Sequence, residues 1–252
     1  ELDPDFDYEE SQELESRNTV ISYPMLNLKH LKTYFETLNA RVEDFMKVLD
    51  CLINPDTLQS LDLDWELLSH DENLASVFEK KFRTLTNLRH LSMNLELCCE
   101  GGGTMQTVKV MEFLEKFNQL QSLSLKFYYC SSSDLPHIAQ KLRNFKNLEK
   151  LHLSYKDGLK LKEGAICQFS KEIANLTNLK AFSFSLNMVR DLKLDELLTF
   201  PLALKCLNSL ESLSLGFTAF KYVSDKFVRE LLCSIRKFSR LKKLELDFET
   251  NC

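Results

Sequence analysis

The chain has 252 residues, 44% of them hydrophobic and 18 of them phenylalanine, which is enough apolar material for one large domain or two ordinary ones. Its net charge is −5 and no long basic run occurs. This argues against nucleic acid as the main partner, because affinity for nucleic acid rests on neutralising phosphates. No apolar run of 18 residues and no signal-peptide pattern occur, so we expect no membrane span.

The cysteines point to a reduced compartment. All eight are scattered without a C-x-x-C pair, and no histidine lies at metal-ligand spacing from a cysteine. We therefore expect no metal, no cofactor, and free thiols in an intracellular, cytoplasmic setting. Cys206 and Cys233 fall within apolar helical patterns, where a free cysteine packs as a small hydrophobic side chain.

The N-terminus has a composition of its own. From Glu1 to Asn18 there are eight acidic residues against one basic residue, Arg17. We predict that residues 1–20 are an acidic tail or loosely docked cap, and that residues 21–252 form one repeat domain. A solvated extension without a specific role and a binding segment both fit the tail.

A nine-residue unit recurs through the rest of the chain. Its clearest copy is Asn147–Tyr155, which reads NLEKLHLSY. The leading leucines of seven copies are spaced 30, 32, 28, 31, 31 and 31 residues apart, namely Leu58, Leu88, Leu120, Leu148, Leu179, Leu210 and Leu241. A degenerate copy, Asn27–Phe35, is interpreted as the first repeat or its cap, since end repeats are atypical. Such regular recurrence indicates a stacked repeat architecture.

Between the units the apolar residues recur at helical spacing. The clearest segments begin at Val42, Val110, Leu135 and Val228. Two of these segments follow capping residues, Ser133–Asp134 and Ser224–Asp225. Pro201 is predicted to break or shorten the helix over residues 191–207, because proline cannot donate a backbone hydrogen bond.

A strand–helix order repeated seven or eight times fits either a closed (β/α)8 barrel or an open solenoid. The strands favour the solenoid. In each unit apolar residues alternate with polar ones, from Leu61 and Leu63 through to Leu244, Leu246 and Phe248. Strands buried on both faces would instead be continuously apolar. One face of the sheet is therefore predicted to meet the helices and the other to meet water or a partner.

The repeated L-x-x-L-x-L resembles the leucine-rich repeat, and the long period with a full helix is similar to the ribonuclease-inhibitor-like subclass, over residues 27–250. The resemblance implies an α/β fold, an open right-handed solenoid in a horseshoe arc of about seven to eight repeats. Its parallel β-sheet would line the concave face and its helices the convex face. In one departure, aromatic residues such as Trp65 and Phe127 follow the L-x-L, so we expect longer strands and no asparagine ladder.

The outward positions of the predicted strands form the candidate binding surface. They are acidic at both ends, and in the middle they are mildly basic and rich in serine. The predicted partner-binding residues on this concave face are Ser122, Ser124, Lys126, Tyr128, Lys150, His152, Ser154, Lys156, Ser183 and Ser185. Such charge segregation suits a protein partner with complementary charges. The alternative is that these are ordinary solvated strand residues.

Catalytic interpretations find little support. His90 and His152 lie near serines, so a Ser–His pair is formally possible. Serine is simply common on this face, however, and no G-x-S-x-G elbow exposes a nucleophile. Asp62 and Asp64 share a face and could act as paired carboxylates or weak cation ligands, but solvated strand charges are the better interpretation. Gly101–Gly103 lacks the Lys-Ser/Thr of a phosphate loop. We predict no enzymatic activity.

The leading hypothesis is a non-catalytic scaffold for protein–protein interaction, a subunit of a larger assembly. The alternatives are an activator-type regulator of a small GTPase, since ribonuclease-inhibitor-like repeat proteins include GTPase activators, and the substrate-recognition module of a ubiquitin ligase. Cys252 directly follows the last predicted strand. We therefore expect a partner or further sequence to cap that end of the sheet.

Overall fold

The computed structural model describes residues 28–35, 55–65, 79–80, 82–96, 103–128, 134–156, 161–187, 194–218 and 224–248. Within these ranges the chain forms one parallel sheet of eight strands, in the order in which they occur along the chain. The strands are β1 His30–Phe35, β2 Ser60–Trp65, β3 His90–Glu96, β4 Ser122–Tyr128, β5 Lys150–Lys156, β6 Ala181–Asn187, β7 Ser212–Thr218 and β8 Lys243–Asp247. β1 and β8 are the two edges and do not pair with each other, so the sheet is open and the barrel alternative is wrong.

Helices connect the strands. The helices are α1 Gly103–Leu114, α2 Asp134–Leu142, α3 Ala165–Ile173, α4 Leu194–Leu197, α5 Thr199–Leu204 and α6 Asp225–Ile235, with a 3₁₀ turn at Pro55–Thr57. The helix predicted from Val42 lies outside the described residues. Among the helices that the structure describes, none is long and apolar enough to cross a lipid bilayer.

The predicted alternation sets which face of the sheet is buried. Along β6 and β7 every second residue is buried, and the residues between them are partly exposed. The helices cover the apolar face, because Phe169 of α3 stacks on Phe184 of β6 with 4.5 Å between ring centroids. Phe227 of α6 meets Phe217 of β7 edge to face at 5.5 Å. The leucines and phenylalanines of the repeated unit therefore form one continuous core between sheet and helices.

Two predicted helix signals are confirmed. The Ser224 side chain accepts a hydrogen bond from the Phe227 backbone N–H at 3.2 Å, which caps the start of α6. The segment around Pro201 is broken into α4 and α5, which are separated at Leu198. Pro201 has no N–H to donate to the Leu197 carbonyl, so one continuous helix would lack that hydrogen bond.

Three predicted core positions are wrong. Leu244 of β8 is 45% exposed, because the described residues include no helix beyond β8 to cover it. Cys206 and Cys233 are also exposed. Cys206 lies in the turn that follows α5, and Cys233 lies on the side of α6 opposite the face that Phe227, Leu231 and Ile235 bury. Apolar neighbours in sequence therefore did not bring either thiol into the core.

Hydrogen bonds join each repeat to the next just before the strands. The Glu149 carbonyl accepts the backbone N–H groups of Lys180 and Ala181 at 2.7 and 3.0 Å, and equivalent pairs recur along the sheet. Asparagine side-chain amides add a second set of hydrogen bonds there, each donated to a backbone carbonyl of the preceding repeat. They join Asn87 to Asp56 at 2.7 Å, Asn147 to Asn118 at 3.0 Å and Asn178 to Lys146 at 3.0 Å. These asparagines open three of the repeated units. The expected lack of an asparagine ladder concerned a different position, after the last leucine of each unit, and stays a prediction.

Candidate functional site on the polar face of the sheet

The ten predicted binding residues all lie on β4, β5 and β6, which are adjacent strands. We call the side of the sheet opposite the helices the polar face. Because the strands pair without a register shift, its residues line up in rows that cross the sheet. Ser124 pairs with His152, which pairs with Ser183, and Lys126 pairs with Ser154, which pairs with Ser185. Ser122 pairs with Lys150, and Tyr128 pairs with Lys156.

We call these ten residues the centre of the polar face. They differ in how much of their surface is exposed to solvent. Lys150 is exposed, while Ser124, Lys126 and His152 are half-buried. Ser154 is only 7% exposed, so its hydroxyl offers a partner little surface. The Ser185 hydroxyl donates to Asn187 Oδ1 at 3.0 Å, so it is already engaged within its own strand. Among the residues whose exposure is described, the accessible functional groups are therefore those of Lys126, Lys150, His152, Ser122, Ser124 and Ser183.

Charge on the polar face is distributed unevenly. Lys126 and Lys150 form no ion pair with any described residue. At one edge of the sheet, by contrast, Lys32 of β1 lies 3.1 Å from Asp62, and at the other Lys243 lies 3.8 Å from Glu245. Lys32 therefore neutralises Asp62, one of the acidic residues predicted at the first edge.

The predicted binding residues did not include any residue of β1. Its outward residues His30 and Lys32 pair in register with Ser60 and Asp62 of β2. The signal that would have found them was the degenerate unit Asn27–Phe35, whose alternation matches that of the other units.

Two histidines lie among these cations. Burial, followed by the Lys126 charge, lowers the pKa of His152 below its usual value. Burial also lowers the pKa of His90, with smaller contributions from the Lys150, His30 and Arg89 charges. Both imidazoles are therefore mainly neutral at neutral pH, and Lys126 and Lys150 carry the positive charge beside them.

A depression of about 250 Å³ opens on the polar face between β1 and β5. Its polar lining consists of Lys32, Asp62, Ser92, Asn94, Ser124, Lys126 and His152. The depression thus unites three of the predicted residues, Ser124, Lys126 and His152, with residues of β1–β3 that the prediction omitted. The predicted residues on β6, Ser183 and Ser185, lie outside it.

The geometry of this centre does not assemble an activated nucleophile. His152 is the register neighbour of Ser124 and Ser183, yet in the described part of the chain it forms no hydrogen bond to either hydroxyl. A serine nucleophile needs a base within hydrogen-bond reach that is itself oriented by a third group. The described ranges also contain no cluster of three His, Cys, Asp or Glu side chains able to hold a metal ion.

A larger groove of about 500 Å³ runs along the edge where the strands begin. Its lining includes Glu149, Lys180 and Glu211. Its two carboxylates are paired within the fold, because Lys180 lies 2.8 Å from Glu149 and Lys242 lies 2.7 Å from Glu211, whereas Arg89 and Arg240 in the same lining form no ion pair with a described residue. The Lys242 hydrogen bond and charge lower the pKa of Glu211. This groove is therefore a ladder of ion pairs between repeats, and the polar face remains the better candidate site.

Comparisons with known proteins give little further guidance. Neither a model of a protein family nor a curated protein matches this sequence. Among solved structures, an internalin (inlF) of Listeria monocytogenes str. 4b F2365 is similar at 15% identity and a TM-score of 0.30, over 78% of this chain and 57% of that one. A zinc-bound amidohydrolase of Burkholderia multivorans is similar at 13% identity and a TM-score of 0.30, over 80% and 74%.

At these TM-scores neither similarity carries an argument about fold or function, and the chain spans little more than half of the internalin. The described sheet has the features of a leucine-rich-repeat-like fold in its own right. It is open and parallel, and its buried rows consist of the leucines of the repeated unit and their aromatic replacements.

Proposed function

We propose that this chain is a non-catalytic scaffold for protein–protein interaction, a subunit of a larger assembly that binds a protein on the polar face of its sheet. In this proposal the fold is a right-handed horseshoe of the ribonuclease-inhibitor-like subclass, with the polar face concave. The observation that carries the proposal is the continuous polar face, on which eight in-register strands present polar side chains opposite the helices.

The size of this face suits a protein partner. Seven spacings between eight strands of five to seven residues give a surface of about 34 Å by about 20 Å, or roughly 700 Å². A standard protein interface buries about 800 Å² on each partner. The mixture of lysines, serines and histidines also supplies hydrogen-bond donors over the whole width of the centre.

Binding without catalysis is supported by the arrangement of His152, which forms no hydrogen bond to the neighbouring Ser124 or Ser183 within the described residues. Regulation of a small GTPase and substrate recognition for a ubiquitin ligase remain alternatives from the sequence. Stimulated GTP hydrolysis across a panel of small GTPases would favour the first of these over a passive scaffold.

The test is affinity capture with charge reversal on the polar face. The variant Lys126→Glu/Lys150→Glu/His152→Glu reverses both lysines and places a carboxylate at the histidine. A matched control is Lys226→Glu/Lys237→Glu/His137→Glu, which makes the same three replacements at exposed positions on or next to the helices. Quantitative mass spectrometry of the captured proteins compares both variants with wild type.

We expect specific partners to be lost from the polar-face variant and kept by the helix control. Circular dichroism and urea unfolding establish that both variants are folded. Partners that survive the polar-face substitutions but disappear with the helix substitutions would place binding on the helices and refute the proposal.

A further inference from the structure

We propose that the partner presents a short acidic peptide segment to the centre of the polar face, where its carboxylates lie over Lys126 and Lys150 and accept hydrogen bonds from Ser124. This inference rests on the proposed function and deepens it, because it specifies the chemistry that the polar face recognises.

The first support is the lack of a counter-charge at two lysines of the polar face. Four other lysines of the sheet lie within 3.8 Å of a carboxylate, namely Lys32, Lys180, Lys242 and Lys243, although Arg89 and Arg240 at the edge where the strands begin have no described ion pair. Lys126 and Lys150 form no such pair with any described residue. An incoming carboxylate would supply the counter-charge that these two lysines lack within the described fold.

The second support is the arrangement of hydrogen-bond donors around Lys126. Ser92, Ser124 and His152 occupy one row on three adjacent strands, and Lys126 projects from the next row. All four line the depression of about 250 Å³, in which the one carboxylate of the described lining, Asp62, is already paired with Lys32. Hydroxyl and ammonium groups are the donors that a carboxylate accepts, and charge-assisted hydrogen bonds are about twice as strong as neutral ones.

The lowered pKa of His152 agrees with this geometry. Burial is its largest cause, and the charge of Lys126 is the next. The positive charge of Lys126 therefore acts on His152 within the depression that both residues line, and the same charge would stabilise an anion bound there.

The extent of the cationic centre limits the length of the acidic segment. Lys126 and Lys150 are separated by one strand spacing and four residue positions, or about 14 Å, which an extended peptide covers in about four residues. The chain's net charge of −5 favours such a short acidic peptide over a long nucleic acid strand.

The experiment is a titration of the ¹⁵N-labelled protein with tetra-aspartate peptide, followed by two-dimensional amide NMR spectra. We expect saturable shift changes concentrated at the amides of β3, β4 and β5. The variant Lys126→Glu/Lys150→Glu should bind at least about tenfold more weakly, whereas Lys226→Glu/Lys237→Glu should bind like wild type. Added salt should weaken the binding of wild type, because the lysines are solvent-accessible.

Tetra-lysine and an oligothymidylate are the comparison ligands. Equal binding of tetra-lysine, shifts outside β3–β5, or shifts that persist in the Lys126→Glu/Lys150→Glu variant would overturn the inference. Saturable binding of the oligothymidylate without binding of tetra-aspartate would indicate that the polar face binds nucleic acid, and would also overturn the inference.

The titration and the affinity capture separate the two proposals. If a partner depends on the polar face and tetra-aspartate does not bind, the acidic-segment inference fails while the proposed function stands. If no captured protein depends on the polar face, the proposed function fails and the inference falls with it, whatever the peptide does.

Discussion

Replacing Phe184 by alanine tests whether the repeats share one core between sheet and helices. Phe184 is 1% exposed on β6. Its ring centroid lies 4.5 Å from Phe169, 5.3 Å from Phe200 and 6.3 Å from both Tyr155 and Phe217. These rings belong to α3, α5, β5 and β7, so a single side chain joins four elements around β6.

The expected cost follows from these contacts. A buried Phe→Ala replacement costs about 3–5 kcal/mol through lost burial and the remaining cavity. Aromatic pairs contribute about 0.5–1.5 kcal/mol each beyond their buried area, so the upper end of that range applies to Phe184. We expect Phe184→Ala to lower the free energy of unfolding by about 4–5 kcal/mol, a large part of the stability of a typical domain.

Urea unfolding followed by circular dichroism measures this loss. If the alanine variant does not fold, Phe184→Leu keeps most of the apolar volume and should cost about 1–2 kcal/mol, mainly through the lost ring contacts. The control is Leu202→Ala on α5, where the side chain is 56% exposed and the change should stay within about 0.5 kcal/mol. A loss below about 2 kcal/mol for Phe184→Ala would show that this ring is not packed as described.

Three further predictions concern polar groups. Asn178→Ala should cost about 0.5–1 kcal/mol in urea unfolding, because it removes the hydrogen bond to the Lys146 carbonyl at a site open to water. A hydrogen bond and the charge of Lys116, with a further bond from a neighbouring arginine, lower the pKa of Glu79 to about 2. The contribution of Glu79 to stability is therefore present above the unfolded pKa of about 4.3 and lost as pH falls towards about 2. A Glu79→Gln variant should have a lower urea midpoint than wild type near pH 7 and the same midpoint near pH 2. Because the pKa values of His90 and His152 are lowered in the folded state, the unfolded chain binds more protons than the folded chain just below pH 6.5. The free energy of unfolding of wild type should therefore fall between about pH 7.5 and pH 5.5. A His90→Gln/His152→Gln variant should lose less of its free energy of unfolding over the same range.

Each of these predictions has a matched control. Asn208→Ala removes an exposed asparagine that makes no described side-chain hydrogen bond, and Glu112→Gln removes an exposed carboxylate without a described ion pair. His137→Gln removes an exposed histidine of α2. If a control variant changed the stability to urea, or its pH dependence, as much as the test variant does, the described hydrogen bond, ion pair or burial would not be the cause of the change in stability.

The alternation within the repeated unit was sufficient to predict the architecture. Apolar residues at every second position required a sheet with one covered face, and the constant spacing of the leading leucines required in-register stacking. For this reason the ten candidate residues fall on three adjacent strands of one face. The strand and face on which a residue lies depend on the backbone alone, and the alternation of apolar residues determines that backbone.

Features that depend on the surroundings of one side chain could not be predicted in this way. Ser154 has the same position in its unit as the half-buried Lys126, yet it is almost buried. The exposure of Cys233 depends on the rotation of α6 against the sheet, which Phe227 and Leu231 determine by packing into the core. The asparagine side-chain hydrogen bonds depend on which carbonyl of the preceding repeat faces Asn147 and Asn178, a distance that periodicity does not contain.

The charge pattern of the polar face is best understood by asking what stability alone would favour. Opposite charges on neighbouring strands stabilise a sheet and like charges destabilise it. The edges follow this rule, as Lys32 and Asp62 show. The centre has no such pairs, because Lys126 and Lys150 face Ser154 and Ser122 in register and form no ion pair with a described residue. The Lys126 charge also opposes protonation of His152. Since this arrangement stabilises the isolated fold less than a paired one would, its contribution is expected in the bound state, where the carboxylates of a partner supply the missing counter-charge.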